Sequence, residues 1–161
     1  MGFLRDLASA VALAARQTAA DMAEEKRRTI LLSGDYECTV YTYYGSRLKG
    51  LHVGQSFDAL VVPGPVTLVS ELTGTVWDTG ERGDNALSYN GRPFGSFGAM
   101  EKTIHKLLDK GYKIKVRCVC TGWYAEGIPN IVATIPQPRE VFDWIDECER
   151  LGEEVPFRGG R

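Results

Sequence analysis

Apolar residues recur along this chain with two different periods, and the switch between them divides it. From Phe3 to about Arg27 there is no glycine or proline, and alanine is abundant. Phe3, Leu7, Val11, Ala14 or Ala15, Thr18 and Met22 return every three or four residues, which predicts a helix over residues 1–28 with one narrow apolar stripe. Its end, Glu24-Glu25-Lys26-Arg27-Arg28, is strongly polar. A stripe of this kind has to be covered, and three partners fit it: the chain's own domain, a second copy, or a membrane surface.

After Ser33-Gly34 the period shortens to two. Tyr36 to Tyr44 is rich in aromatic and β-branched residues and predicts one strand ending at Gly45. Ser56 to Val62 and Val66 to Leu72 flank Pro63-Gly64-Pro65, which predicts two strands around a hairpin turn or a sharp corner. Residues 73–84 carry Gly74, Gly80 and Gly83 among polar side chains around Trp77 and read mostly as loop. Asn85 to Tyr89 and Arg92 to Phe97 predict a tight pair of strands around Asn90-Gly91, because both turn residues tolerate positive φ.

Met100, Ile104, Leu107 and Leu108 form a helical face over about residues 99–110, stopped by Gly111. Tyr112 to Cys120 then alternates cleanly, with Lys113, Lys115 and Arg117 on one side and Ile114, Val116, Cys118 and Cys120 on the other. A Gly127-Ile128-Pro129 turn leads to a strand from Asn130 to Ile135. Val141, Phe142, Trp144, Ile145 and Cys148 share one side of a closing amphipathic helix, residues 137–151, ahead of a loose tail at 152–161. Many short strands with one helix among them predict an α+β, mainly β fold: a small barrel over residues 36–136 with flanking terminal helices.

Composition narrows the function classes. At 161 residues with 43% apolar and 25% charged residues the chain can bury its own core, so metals and disulfides are not needed to hold it. Cys38, Cys118, Cys120 and Cys148 include no CxxC, and His52 and His105 are far apart, so neither zinc nor any other cofactor is expected. Cys118 and Cys120 point to one face of a strand, where free thiols serve as small apolar residues. With no secretory signal, they read as the reduced thiols of a cytoplasmic protein. Arg5, Asp6, Arg16 and Asp21 interrupt the N-terminal apolar residues, so no transmembrane span is expected.

The net charge of −2 conceals an uneven spread: five basic and five acidic residues over 1–35, ten and nine over 36–136, four and seven over 137–161. Wrapping of long duplex DNA calls for a basic excess that is missing here. A small pocket for one or two terminal nucleotides does not, because stacking and a few hydrogen bonds suffice there.

Three pieces of sequence, in this order, resemble the HIRAN domain, a small modified barrel found joined to helicases and also alone in bacteria and phage. Tyr43-Tyr44-Gly45 leaves the first strand, Asp84-Asn85-Ala86-Leu87 resembles the family's Asp-x-Asn-Ala-Ile step, and Asn90-Gly91-Arg92-Pro93-Phe94-Gly95 resembles its turn and glycine strand before a helix. The resemblance covers about residues 36–135 and implies an SH3-like, HIRAN-like barrel. Asp84 and Asn85 are adjacent where the family has one residue between them, and the connection from Leu51 to Gly83 is long.

The resemblance also implies a non-catalytic nucleic-acid-binding module that captures the 3′ end of single-stranded DNA. Tyr43 and Tyr44 would be stacking platforms, Asp84 would accept a hydrogen bond from the terminal 3′-hydroxyl, and Asn85 would add amide hydrogen bonds. Arg47, Lys49 and Arg92 would meet phosphates.

Plainer roles exist for each of these residues. Tyrosines that alternate along a strand include core residues, and Asp or Asn in a glycine-rich loop commonly bonds its own turn. The second function expected is assembly, with the N-terminal helix as a self-association surface for a homo-oligomer. Catalysis is the least favoured, since no spacing brings His52 or His105 to Asp84 and no activated nucleophile is evident.

Overall fold

The computed structural model describes residues 2–125 and 128–153. Helix α1 (Gly2–Arg27) leads into strands β1 (Thr29–Leu32), β2 (Tyr36–Thr39) and β3 (Tyr41–Thr42), then a 3-10 turn at Gly45–Leu48. Strands β4 (Ser56–Val62), β5 (Thr67–Val69), β6 (Val76–Asp78), β7 (Asn85–Tyr89) and β8 (Arg92–Phe97) follow, then α2 (Glu101–Asp109), β9 (Lys113–Ala125), β10 (Ile128–Ile135) and α3 (Pro138–Arg150). This is the mainly β, α+β architecture that the periodicity predicts.

The main sheet runs β2-β10-β9-β4-β7-β8-β3, with β1 lying parallel to the start of β9. Its two ends are consecutive pieces of one stretch of chain. β2 pairs with β10 through Cys38 opposite Ala133, and β3 pairs with β8 through Tyr41 opposite Ser96. Between them Val40 is buried and donates its N–H to the Ile131 carbonyl at 3.3 Å. The single strand expected from Tyr36 to Tyr44 is therefore two short ones, because the chain must bend at Val40 to reach both neighbours and nearly close the barrel.

Alternation sets the core. In β4, Phe57, Ala59 and Val61 turn inward while Ser56, Asp58 and Leu60 face out. In β9, Ile114, Val116, Cys118 and Cys120 are fully buried. Phe94 and Phe97 are the largest fully buried side chains, with Ile104 and Leu107 of α2 set against the same core. The Cys118 thiol is pushed up to about 12, chiefly by burial, which fits its use as apolar filling.

Several boundaries differ from the expectation. The sheet begins at Thr29, ahead of Tyr36, where Ile30 and Leu32 of β1 are buried. Pro63-Gly64-Pro65 makes a corner, not a hairpin: β4 pairs with β7 and β9, and β5 pairs with β6 inside the stretch expected as loop. Ile128 and Pro129 belong to β10, while Gly127 and residues 154–161 of the expected tail lie outside the described residues. The Asn90-Gly91 turn is as expected, with φ of 52° and 77°.

Among the described residues no helix is long and apolar enough to cross a membrane. α1 leaves the sheet through Arg28 alone, and every side chain described along it, from Asp6 to Ala23, is exposed.

Candidate nucleic-acid interface

The site begins with a bulge. In the β7–β8 hairpin Ser88 faces Pro93 but Leu87 faces Gly95, so Phe94 is an extra residue in β8. Its carbonyl accepts hydrogen bonds from the N–H groups of both Tyr43 and Tyr44, at 2.8 and 3.0 Å. The two tyrosines consequently serve different surroundings.

Tyr44 is built into the frame. Its hydroxyl accepts the Val69 N–H at 2.9 Å, and the Arg47 guanidinium lies 3.9 Å from its ring centroid. Arg47 Nη1 donates to the Pro93 carbonyl. Glu71 donates its N–H to the Tyr43 carbonyl and accepts from both the N–H and the hydroxyl of Ser46. These bonds hold the β5–β6 hairpin and the 3-10 turn against the barrel.

Tyr43 is half-buried and faces Trp77 of β6, ring centroids 6.5 Å apart and tilted by 35°. With Tyr41, Leu72, Pro129 and Asn130 they line a groove of about 450 Å³. The Arg82 guanidinium covers the Trp77 ring at 4.5 Å. Trp123, opposite Pro129 in the β9–β10 pairing, is exposed nearby on the same ribbon.

Asp84 completes this end of the site. The bulged register sets Asn85 opposite Phe97, so Asp84 comes beside Gly98. A Cβ on Gly98 would sit 2.6 Å from Asp84 Oδ1, so the carboxylate occupies space that only glycine leaves. Burial first, and then the Glu101 carboxylate at the start of α2, push the Asp84 pKa up, while Arg82 and the Trp77 indole draw it back. The Tyr43 hydroxyl is also raised, chiefly by burial, with the Ser96 hydroxyl and Asp84 among the groups acting on it. Trp77 Nε1, Ser96 Oγ and Asn85 Nδ2 are buried with no well-formed hydrogen bond.

The expected residues thus fall into two groups. Tyr43 and Asp84 stand together with Trp77 and Arg82. Arg47 reaches the Pro93 carbonyl, which places it beside exposed Arg92, and Lys49 follows directly after the 3-10 turn. Along β8 the four residue steps from Arg92 to Ser96 separate the two ends by about 13 Å. Asn85 is 3% exposed and belongs to the floor.

No family model, curated protein or solved structure matches this chain. The chemistry of the site is therefore what its own residues supply: aromatic faces, a part-buried carboxylate that accepts hydrogen bonds, and basic groups a few residues away.

Trp77, Arg82, Tyr41 and Glu101 were not expected here. The available signal was an isolated tryptophan in a polar, glycine-rich stretch with an arginine five residues on.

Proposed function

We propose that this chain is a non-catalytic, cytoplasmic module that binds single-stranded DNA and captures its 3′ end, as the HIRAN resemblance implies. One observation carries the reading: the Asp84 carboxylate lies among Tyr43, Trp77 and Arg82 at the edge of an aromatic groove.

A terminal base stacks on Tyr43, and on Trp77 once Arg82 moves aside, since every base presents a π-face. Its 3′-hydroxyl donates to Asp84. A terminal phosphate is refused, because Asp84 and Glu101 are both acidic and lie close together. Lys49 and Arg92 are free among the described residues to meet backbone phosphates, whereas Arg47, already bonded, adds positive charge and holds Tyr44. Tyr44 supports the platform from behind. The four unpaired cysteines, three of them buried, suit a reducing compartment.

Fluorescence anisotropy with a short single strand ending in a free 3′-hydroxyl or a 3′-phosphate, at two salt concentrations, tests this. The hydroxyl end binds more tightly, and Asp84→Asn removes the preference. Tyr43→Ala weakens binding by about 1–3 kcal/mol, the contribution of one stacked base. Equal affinity for both ends, or binding untouched by Tyr43→Ala, refutes end capture.

A further inference from the structure

α1 buries none of its described side chains: Leu7, Val11 and Met22 are 51%, 62% and 65% exposed. The stripe has a regularity that goes beyond amphipathicity. Positions 3, 7, 11, 14, 18 and 22 are spaced four, four, three, four and four, an eleven-residue repeat that keeps the stripe almost straight along the helix. That spacing reads the same in both directions about a centre between Val11 and Ala14.

We infer that α1 pairs antiparallel with α1 of a second copy, Leu7 against Thr18 and Val11 against Ala14. This inference is independent of nucleic-acid binding. A two-fold axis through the centre sets Leu7 and Val11 each against a small residue, Thr18 and Ala14, which fills the layers on either side of the axis evenly. A parallel pair would set Leu7 on Leu7 and Val11 on Val11 in one half, and leave Ala14 and Thr18 facing themselves in the other.

Charge points the same way. Asp21 lies five helical turns from position 3 and so shares its angle on the helix wheel, at one flank of the stripe. Parallel pairing would set two Asp21 carboxylates side by side, whereas antiparallel pairing sets each level with position 4 of the other copy, away from its own counterpart.

A membrane is the poorer occupant. Between Gly2 and Ala23 two arginines are balanced by two aspartates, so the helix offers no net positive charge to anionic headgroups. Six stripe positions from each copy would bury on the order of 1,000 Å² in total, at the threshold for a specific interface. The dimer is accordingly weak and concentration-dependent. Since each α1 enters its barrel through Arg28, the barrels stand at opposite ends of a helix pair about 39 Å long.

Sedimentation analysis of the full chain over two decades of concentration tests the inference. The mass rises from monomer to dimer, and Leu7→Glu moves the midpoint at least about tenfold higher, since burying an unpaired charge in an apolar contact is costly. Thr18→Lys weakens the dimer as well. An equimolar mixture of the Leu7→Glu and Thr18→Lys chains recovers it, because only antiparallel pairing sets the new acid against the new base.

A monomer throughout, a dimer indifferent to Leu7→Glu, or a mixture that fails to recover each overturns the inference. So does a monomer that floats with neutral phosphatidylcholine vesicles. Unchanged urea midpoints for both variants establish that the barrel is intact, as expected of substitutions at exposed positions of α1.

Discussion

α3 and α1 are both amphipathic and both flank the barrel, yet their apolar faces meet opposite fates. Val141, Ile145 and Cys148 of α3 are at most 6% exposed, while Leu7 and Val11 of α1 are more than half exposed. The apolar pattern states that a face must be covered and leaves open what covers it; the direction in which the connection launches the helix and the charges it meets decide that. Only Pro136 and Gln137 separate α3 from β10, so the helix turns straight back onto the barrel. Glu149 then accepts from Lys106 of α2 and from Lys110 at its C-cap, at 2.7 and 2.6 Å. α1 is joined to β1 just as closely, through Arg28 alone, but none of its described side chains, from Asp6 to Ala23, is buried or ion-paired to the barrel.

The largest expected difference comes from applying the same kind of truncation to both faces. Ile145→Ala removes a side chain from a closed core and costs about 2–5 kcal/mol. Leu7→Ala leaves barrel stability within about 0.5 kcal/mol of the parent, because the side chain is not packed on the barrel. Urea unfolding followed by tryptophan fluorescence measures both. Similar losses would mean that α1 lies on the barrel in solution, and the contrast between the helices would collapse.

A smaller effect tests the seat of α3. Gly34 donates to the Thr134 carbonyl at 3.1 Å, and a Cβ there would come within 2.6 Å of the Ile135 carbonyl oxygen and the Pro136 nitrogen. Gly34→Ala must push the segment that launches α3 and costs about 1–3 kcal/mol, as overpacking does. If the variant melts with the parent, the connection is more pliant than its close approach implies, and charge becomes the main reason α3 docks.

Much of this fold is written in the order of residues. The alternation of β4 and β9, the faces of α2 and α3, and the Asn90-Gly91 turn each extend over at least one full period or carry a residue type with a specific backbone preference. β1, β5 and β6 do not: at three or four residues they are too short to show a period, and their pairing is decided by distant strands. The candidate site shows the same limit more sharply. Counting outward from Asn90-Gly91 without a bulge would set Asp84 opposite Phe97. The extra residue, Phe94, shifts the register by one, brings Asp84 to Gly98, and offers one carbonyl to both Tyr43 and Tyr44. The residue types of a carboxylate beside aromatic rings are legible in sequence, but their meeting depends on one bulge.

The smallest effect concerns the charged link that α3 has and that the described side chains of α1 lack. Hydrogen bonds from Lys106 and then Lys110 hold the Glu149 carboxyl below its ordinary range. A carboxyl lowered on folding contributes stability above its unfolded pKa and loses it as pH falls through the folded value. Glu149→Gln should therefore unfold slightly more easily than the parent at neutral pH, with the gap closing in acid and in high salt, since all three side chains are partly exposed to solvent. Urea midpoints of parent and variant between pH 7 and pH 3 make the comparison. Parallel curves at every pH would mean that the Glu149 link adds nothing, leaving the buried face of Val141, Ile145 and Cys148 and the short connection from β10 as what distinguishes a docked helix from a free one.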